Sequence, residues 1–304
     1  MALDQPVLIY DRISSNRRKT FGLMILFFIT VAAAATGFGI VLGLPPGLAP
    51  FVIVFVAGFA LFSYFGSARV ALAVAGAREV GKEAEPALYR VVENLCIGAG
   101  LPMPKVYVIE DGAMNAFATG RDPDHASVAI TRGLMEKLDK QELEGVIAHE
   151  LSHIGNRDTL LMTTVVVLIG VLALLADISF RMTLWGAGGR NSYRDKKGGG
   201  SIIIIVAILA AILAPIAARM IAMAVSRQRE YLADASGALL TRYPEGLASA
   251  LEKIRGDKDP LDAATKATEH LYFVNPLQAH ASALNNLFST HPPIEERIRL
   301  LRAM

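Results

Sequence analysis

His149-Glu150-Leu151-Ser152-His153 sets two imidazoles four residues apart, with a carboxylate beside the first. On a helix, residues four apart share a face, so His149 and His153 can grip one Zn²⁺ from adjacent turns. Glu150 is rotated to the side, where it can reach a water at the metal's open position. That is the layout of a zinc peptidase with Glu150 as general base. The bland alternative is a buried helix whose two histidines satisfy each other through water.

Such a site needs a third ligand. Arg229-Glu230-Tyr231-Leu232-Ala233-Asp234 lies far downstream, after the last apolar run. Glu230 and Asp234 share a helix face. A site with two His ligands commonly takes Glu as the third and leaves one position for water. Asp234 is then placed to accept a hydrogen bond from a ligand imidazole, fixing its tautomer. The competing reading is a solvated helix end on which Arg227, Arg229, Glu230 and Asp234 pair with one another.

The first motif needs a well-placed helix, and the residues around it supply the signals. Asp139 with Glu142 makes a capping-box pattern. Leu143, Val146, Ile147, Leu151 and Ile154 recur at helical spacing and predict a buried face. Gly155 and Asn156 follow as stop signals. Upstream, Lys105–Glu110 reads as a strand, followed by Asn115–Gly120 and Ser127–Thr131. Together they predict a small antiparallel sheet beside the active-site helix. Glu83–Gly98, Gly133–Leu138, Pro244–Gly256, Leu261–Phe273 and a final segment, Glu295–Arg302, read as helices.

Composition places this machinery at a membrane. Of 304 residues, 53% are hydrophobic and 19% charged, and mean hydropathy is +0.42, too apolar for an ordinary soluble enzyme of this length. Four apolar runs account for it: about Phe21–Gly43, Pro50–Gly66, Leu160–Ala176 and Ile202–Ala218. Pro45, Pro46 and Gly47 make the first two a tight hairpin. Arg17, Arg18 and Lys19 before it, and Arg69 and Arg78 after it, put both flanks in the cytoplasm. The loop between the third and fourth runs carries Arg181, Arg190, Arg194, Lys196 and Lys197 and is rich in glycine. Two full crossings would put this basic loop outside; the alternative is a pair that dips in and returns. Either way the intervening segment crosses an even number of times, so both halves of the metal site face one side. The net charge of +2 gives no reason to expect nucleic acid. The lone Cys96, among Leu88, Val91, Val92 and Leu95, excludes an internal disulfide and reads as a core residue.

These residues resemble the HtpX-type membrane metalloproteases, gluzincins related to the CAAX prenyl endopeptidases. Three motifs carry the resemblance: His149-Glu150-Leu151-Ser152-His153, Arg229-Glu230-Tyr231-Leu232-Ala233-Asp234 and Ser289-Thr290-His291-Pro292-Pro293. The apolar runs match too, so the resemblance covers nearly the whole chain. The prenyl endopeptidases proper are larger, with more membrane helices. The resemblance implies a zinc endopeptidase with one Zn²⁺ per chain. It would sit in the cell's inner membrane, with N-terminus and catalytic domain cytoplasmic, and degrade misfolded or damaged membrane proteins and unfolded polypeptides. It also implies that Asn115, Ala116, Phe117 and Ala118 form the edge strand that pairs with the substrate backbone. His291 is the candidate for stabilising the oxyanion. It could equally be an inhibitory fourth ligand, or an ordinary residue before Pro292 and Pro293. Arg297 could order this region by pairing with an acid.

The expected fold is therefore α+β and mostly helical, with a four-helix membrane region and a gluzincin-like catalytic domain. Residues 1–66 hold the tail and first hairpin, and 67–158 the first part of the catalytic domain. Residues 159–225 hold the second hairpin, and 226–304 the second part of the catalytic domain. One rival is a zinc-binding scaffold or sensor, which would have no use for Glu150 beside an open coordination position. Another is a metal transporter, whose ligands sit within broken membrane helices. Here the His pair lies among Glu142, Glu144, Asn156, Arg157 and Asp158, which reads as an aqueous setting. His125, His270 and His280 show no ligand spacing.

Overall fold

The computed structural model describes residues 49–163, 227–257, 259, 272–273 and 292–304, with isolated positions 18, 21, 22, 25, 28, 29 and 47. The first, third and fourth apolar runs, the basic glycine-rich loop, His270, His280 and His291 lie largely or wholly outside these residues. The second run falls within helix α1, Ala49–Val74, which is uncharged as far as Arg69. Among the described residues no helix is long and apolar enough to cross a membrane. The side chains of α1 at 49, 52, 53, 55–57, 60 and 63 lie outside that description. Those within it include Phe51, Val54, Leu61, Phe62 and Phe65, all exposed. The helix runs past the expected end at Gly66 because Ser67, Ala71, Leu72 and Ala75 are buried.

The sheet has four strands: β1 (Arg78–Glu79), β2 (Lys105–Ile109), β3 (Ala116–Gly120) and β4 (Ala126–Thr131). Their order is β1-β2-β4-β3. β1 runs antiparallel to β2, and β3 antiparallel to β4, but β2 and β4 are parallel, with Lys105 opposite Ser127 and Ile109 opposite Thr131. The sheet is thus mixed, not antiparallel as its three consecutive strand patterns suggested. β3 does not fold back onto β2. The turn at Pro123–His125, capped by Asp122, lets β4 insert between the two, which fixes its direction relative to each. Both β3 and β4 are buried at every position, so β3 is an edge in pairing but not in exposure.

Helix α2 (Pro86–Ala99) begins with Pro86, whose fixed φ suits a first turn. It ends at Gly100 in the left-handed region, φ 64, where glycine has no Cβ to clash. Its buried residues are Leu88, Val91, Val92 and Cys96. Burial pushes the Cys96 thiol up to about 11, in keeping with a core residue. α3 (Arg132–Lys137) starts at Thr131, whose hydroxyl accepts from Leu134 N.

α4 (Lys140–Gly155) carries the His pair, and its capping box is complete. Asp139 Oδ1 accepts from Gln141 N and Glu142 N, at 2.8 and 2.9 Å, while Glu142 Oε2 accepts from Asp139 N at 2.8 Å. Glu142 also takes Ser249 Oγ and Lys253 Nζ, at 2.7 and 2.6 Å. One side chain therefore starts α4 and ties it to α6 (Pro244–Gly256). α5 (Arg227–Thr241) and α6 pack on α4, and α7 (Ile294–Arg302) packs on α6 and α5. Two glycines set how closely these helices approach. A Cβ at Gly145 would meet Leu247 N at 2.8 Å, and one at Gly237 would meet His149 N at 3.0 Å.

Of the expected helix Leu261–Phe273, Tyr272 and Phe273 are described, and they form a bend. The Phe273 N–H donates to Ala116 O at 2.8 Å, so it serves a strand edge rather than a carbonyl of its own helix.

Candidate metal centre

His149 and His153 point from adjacent turns of α4 into one buried space, with ring centroids 4.8 Å apart. Their Nε2 atoms are 3.2 Å apart. Glu230, from α5, closes a triangle: Oε2 lies 3.8 Å from His149 Nε2 and Oε1 3.6 Å from His153 Nε2. All three residues are buried. Zn–N and Zn–O bonds of about 2.0–2.2 Å at tetrahedral angles would separate ligand atoms by roughly 3.3–3.5 Å. One ligand atom from each residue lies within 4.8 Å of the others, near enough for the three to share one ion.

Hydrogen bonding supports the fit independently. His149 Nδ1 faces Asp234 Oδ1 at 2.9 Å, and His153 Nδ1 faces Asp158 Oδ2 at 3.3 Å. A carboxylate accepts, so each Nδ1 carries a proton, and in the neutral imidazole Nε2 is then the nitrogen with the lone pair. A cation between the two Nε2 atoms would take both as ligands.

Glu150 is buried beside this triangle. Burial, with help from Glu230, raises Glu150 to about 7 against the pull of His153, Ala118 N–H and Arg297. The two imidazoles diverge. Burial, aided by the Arg297 cation, takes His149 down to about 4 despite Asp234. Burial also opposes charge on His153, but Asp158, Glu230 and Glu150 overcome it and raise the ring to about 9. A bound divalent cation would hold both imidazoles neutral and Glu230 ionised.

The outer edge of β3 faces the same space. In an antiparallel ladder, alternate residues turn their backbone groups toward the partner strand. Asn115 O accepts from Thr131 N, which turns Ala116 and Ala118 outward. Of the four candidate edge residues, these two therefore present backbone groups at the free edge. Asn115 is turned inward, its side chain accepting from Ala116 N at 3.0 Å. The Phe117 ring packs edge-on to Tyr272, with centroids 5.3 Å apart. Phe273 packs edge-on to His149 at 4.8 Å.

Asp234 and Glu230 do not form a solvated helix end. Asp234 is held by Arg297 of α7, whose Nε and Nη2 donate at 2.8 and 2.7 Å, and Arg297 itself is only 1% exposed. This is the acid that Arg297 was expected to find, and it keeps Asp234 below the usual carboxylate range against the effect of burial. Nor is the setting aqueous, as the charged residues around the motif suggested. Glu142, Asn156 and Asp158 are buried, and the two carboxylates are met by Lys253 and Arg229. Sequence reasoning passed over Asp158 and Arg229 as components of the site. Their signal was present, one five residues after His153 and the other immediately before Glu230. His125 is exposed and bonded to Asp122, away from the site.

The family model for peptidase family M48 matches residues 82–304. Among curated proteins, the chain is 44% identical over 299 residues to a protease HtpX homolog of Tropheryma whipplei (strain Twist), covering 98% of this chain and 99% of that one. It is 46% identical over 304 residues to the protease HtpX homolog of Dictyoglomus thermophilum, covering 99% and 96%. Among solved structures, that of S. mikatae Ste24p aligns at 20% identity and a TM-score of 0.47, over 83% of this chain and 57% of that one.

Proposed function

The chain belongs to peptidase family M48 and is a metalloprotease, and we propose that its catalytic centre is the triangle of His149, His153 and Glu230 holding one zinc ion, with Glu150 as general base. The observation that carries this reading is the convergence of two imidazole Nε2 atoms and a carboxylate on one buried space. When bound, zinc would supply Lewis-acid polarisation of the scissile carbonyl and acidify the attacking water.

The protein's own residues account for the rest. The substrate strand runs along the outer edge of β3, where Ala116 O and Ala118 N–H offer backbone pairing. Glu150, held near neutrality by burial, takes a proton from the attacking water and returns it to the leaving amine as the C–N bond breaks. Asp234, braced by Arg297, keeps His149 in the tautomer that leaves Nε2 open. His291, outside the described residues, is our candidate for a donor to the oxyanion.

The same reading extends to place and substrate. Four uncharged runs and the exposed phenylalanines of α1 support a membrane-integrated enzyme whose two catalytic segments, 67–158 and 226–304, share the cytoplasmic face. Its substrates would be misfolded or damaged membrane proteins and unfolded chains. The test is cleavage of an unfolded protein by the full chain in detergent with zinc, comparing wild type with Glu150→Gln. Cleavage by the wild type alone supports the assignment. Near-normal cleavage by the variant removes Glu150 from the reaction.

A further inference from the structure

The two imidazoles are braced in the same way from opposite sides, but only one brace is accounted for above. His149 Nδ1 meets Asp234, which is held by Arg297. His153 Nδ1 meets Asp158, and Arg229 Nη1 donates to the other oxygen of Asp158 at 2.6 Å. Asp158 is 0% exposed. In both cases the chain runs arginine, aspartate, histidine, and in both the arginine comes from the later segment.

The backbone is bent to bring Asp158 there. Arg157 has φ 58, in the left-handed region that a residue with a Cβ rarely adopts. Arg157 N donates to Ile154 O at 3.1 Å, and Asp158 N to His153 O at 2.9 Å. This turn reverses the chain at the end of α4 and folds residue 158 back over the ring of residue 153. A glycine would make the same turn without strain. The strained residue is kept beside the carboxylate that faces His153 Nδ1, which is where strain is expected to be tolerated.

We propose that Asp158, held by Arg229, is a positioning pair for His153 and sets the affinity of the site for its metal. Asp158 fixes the proton on Nδ1, so that Nε2 is a lone-pair donor. Arg229 holds the buried carboxylate aimed at the ring. Arg229 directly precedes Glu230, so the same stretch of α5 supplies the third ligand and braces the second. The proposal rests on the reading of His149, His153 and Glu230 as ligands.

The experiment is zinc competition against a chromophoric chelator, using the full chain in detergent, with Co²⁺ absorption spectra alongside. The variants are Asp158→Asn, Asp158→Ala, Arg229→Met and Arg229→Lys. Glu142→Gln, which breaks a buried charge contact away from the metal, is the structural control. Loss of a partner behind a ligand imidazole typically weakens metal binding 10–100-fold. That loss is expected for Asp158→Asn, with metal-free melting moved no further than in the control. Arg229→Lys should retain more affinity than Arg229→Met. Wild-type affinity in both Asp158 variants, or affinity loss that only follows the fall in metal-free melting, would overturn the pair. If the Asp158 variants do not fold, Arg229→Lys decides: a shifted Co²⁺ spectrum supports the pair and an unchanged one overturns it. A wild type that takes up no zinc overturns the ligand assignment itself, and this proposal with it.

Discussion

Phe273 gives its backbone N–H to the carbonyl of Ala116, 2.8 Å away, on the outer edge of β3. A substrate strand pairing with β3 needs that same carbonyl. In the Glu150→Gln enzyme, saturation with an extended peptide substrate is therefore expected to speed hydrogen exchange at the Phe273 amide. Exchange that is unchanged or slower at saturating peptide would place the substrate elsewhere.

Glu230 is the proposed ligand from the later segment, so its loss should empty the site. Glu230→Ala is expected to retain no zinc after dialysis, where the wild type keeps one per chain. Full stoichiometric zinc in the variant would remove Glu230 from the ligand set.

Metal removal should also register as stability. A ligand present at about a thousand times its dissociation constant adds roughly 4 kcal/mol to the folded state. Chelation of the wild type is expected to lower its melting temperature, while chelation of Glu230→Ala should leave melting where it was. Equal responses in the two proteins would mean that the chelator acts elsewhere.

Arg297 is a buried cation whose partner, Asp234, is also buried. Removing one member of such a pair leaves the other charge uncompensated, at about 3–5 kcal/mol. Arg297→Met should therefore destabilise the metal-free protein by that order, and Arg297→Met with Asp234→Leu should recover part of it. Denaturant unfolding measures both. No recovery in the double variant would argue that the two residues are not coupled.

Gly237 lets α5 close on the backbone of His149. Gly237→Ala should cost roughly 1–3 kcal/mol through overpacking and weaken zinc binding as the ligand triangle widens. Asp139→Ala, by contrast, should cost about 1 kcal/mol through loss of the helix cap with zinc affinity retained. A Gly237→Ala protein with wild-type affinity would show that the spacing has slack.

The helix that carries the His pair was legible because its information is local. Asp139 and Glu142 are three residues apart, and Val146, Ile147, Leu151 and Ile154 repeat with the period of the helix they form. The Glu230 and Asp234 pair was legible for the same reason. What the sequence hid was relational. β4 is parallel to β2 because it inserts between strands that precede it, and no strand pattern encodes insertion. Asp158 and Arg229 are 71 residues apart, and each taken alone resembles a surface charge. Their burial follows only once α5 has docked on α4. Tyr272 and Phe273 ended a segment read as helix, yet the edge of β3 claims the Phe273 N–H.

The division of the centre between two chain segments bears on how such a protease is made. On the proposed ligand set, a chain synthesised only as far as Asp158 carries both imidazoles and Glu150 but no Glu230, and no Arg229 to hold Asp158 in place. Half of this molecule would then not be half of an enzyme: cutting power would arrive late in synthesis, when the later segment docks.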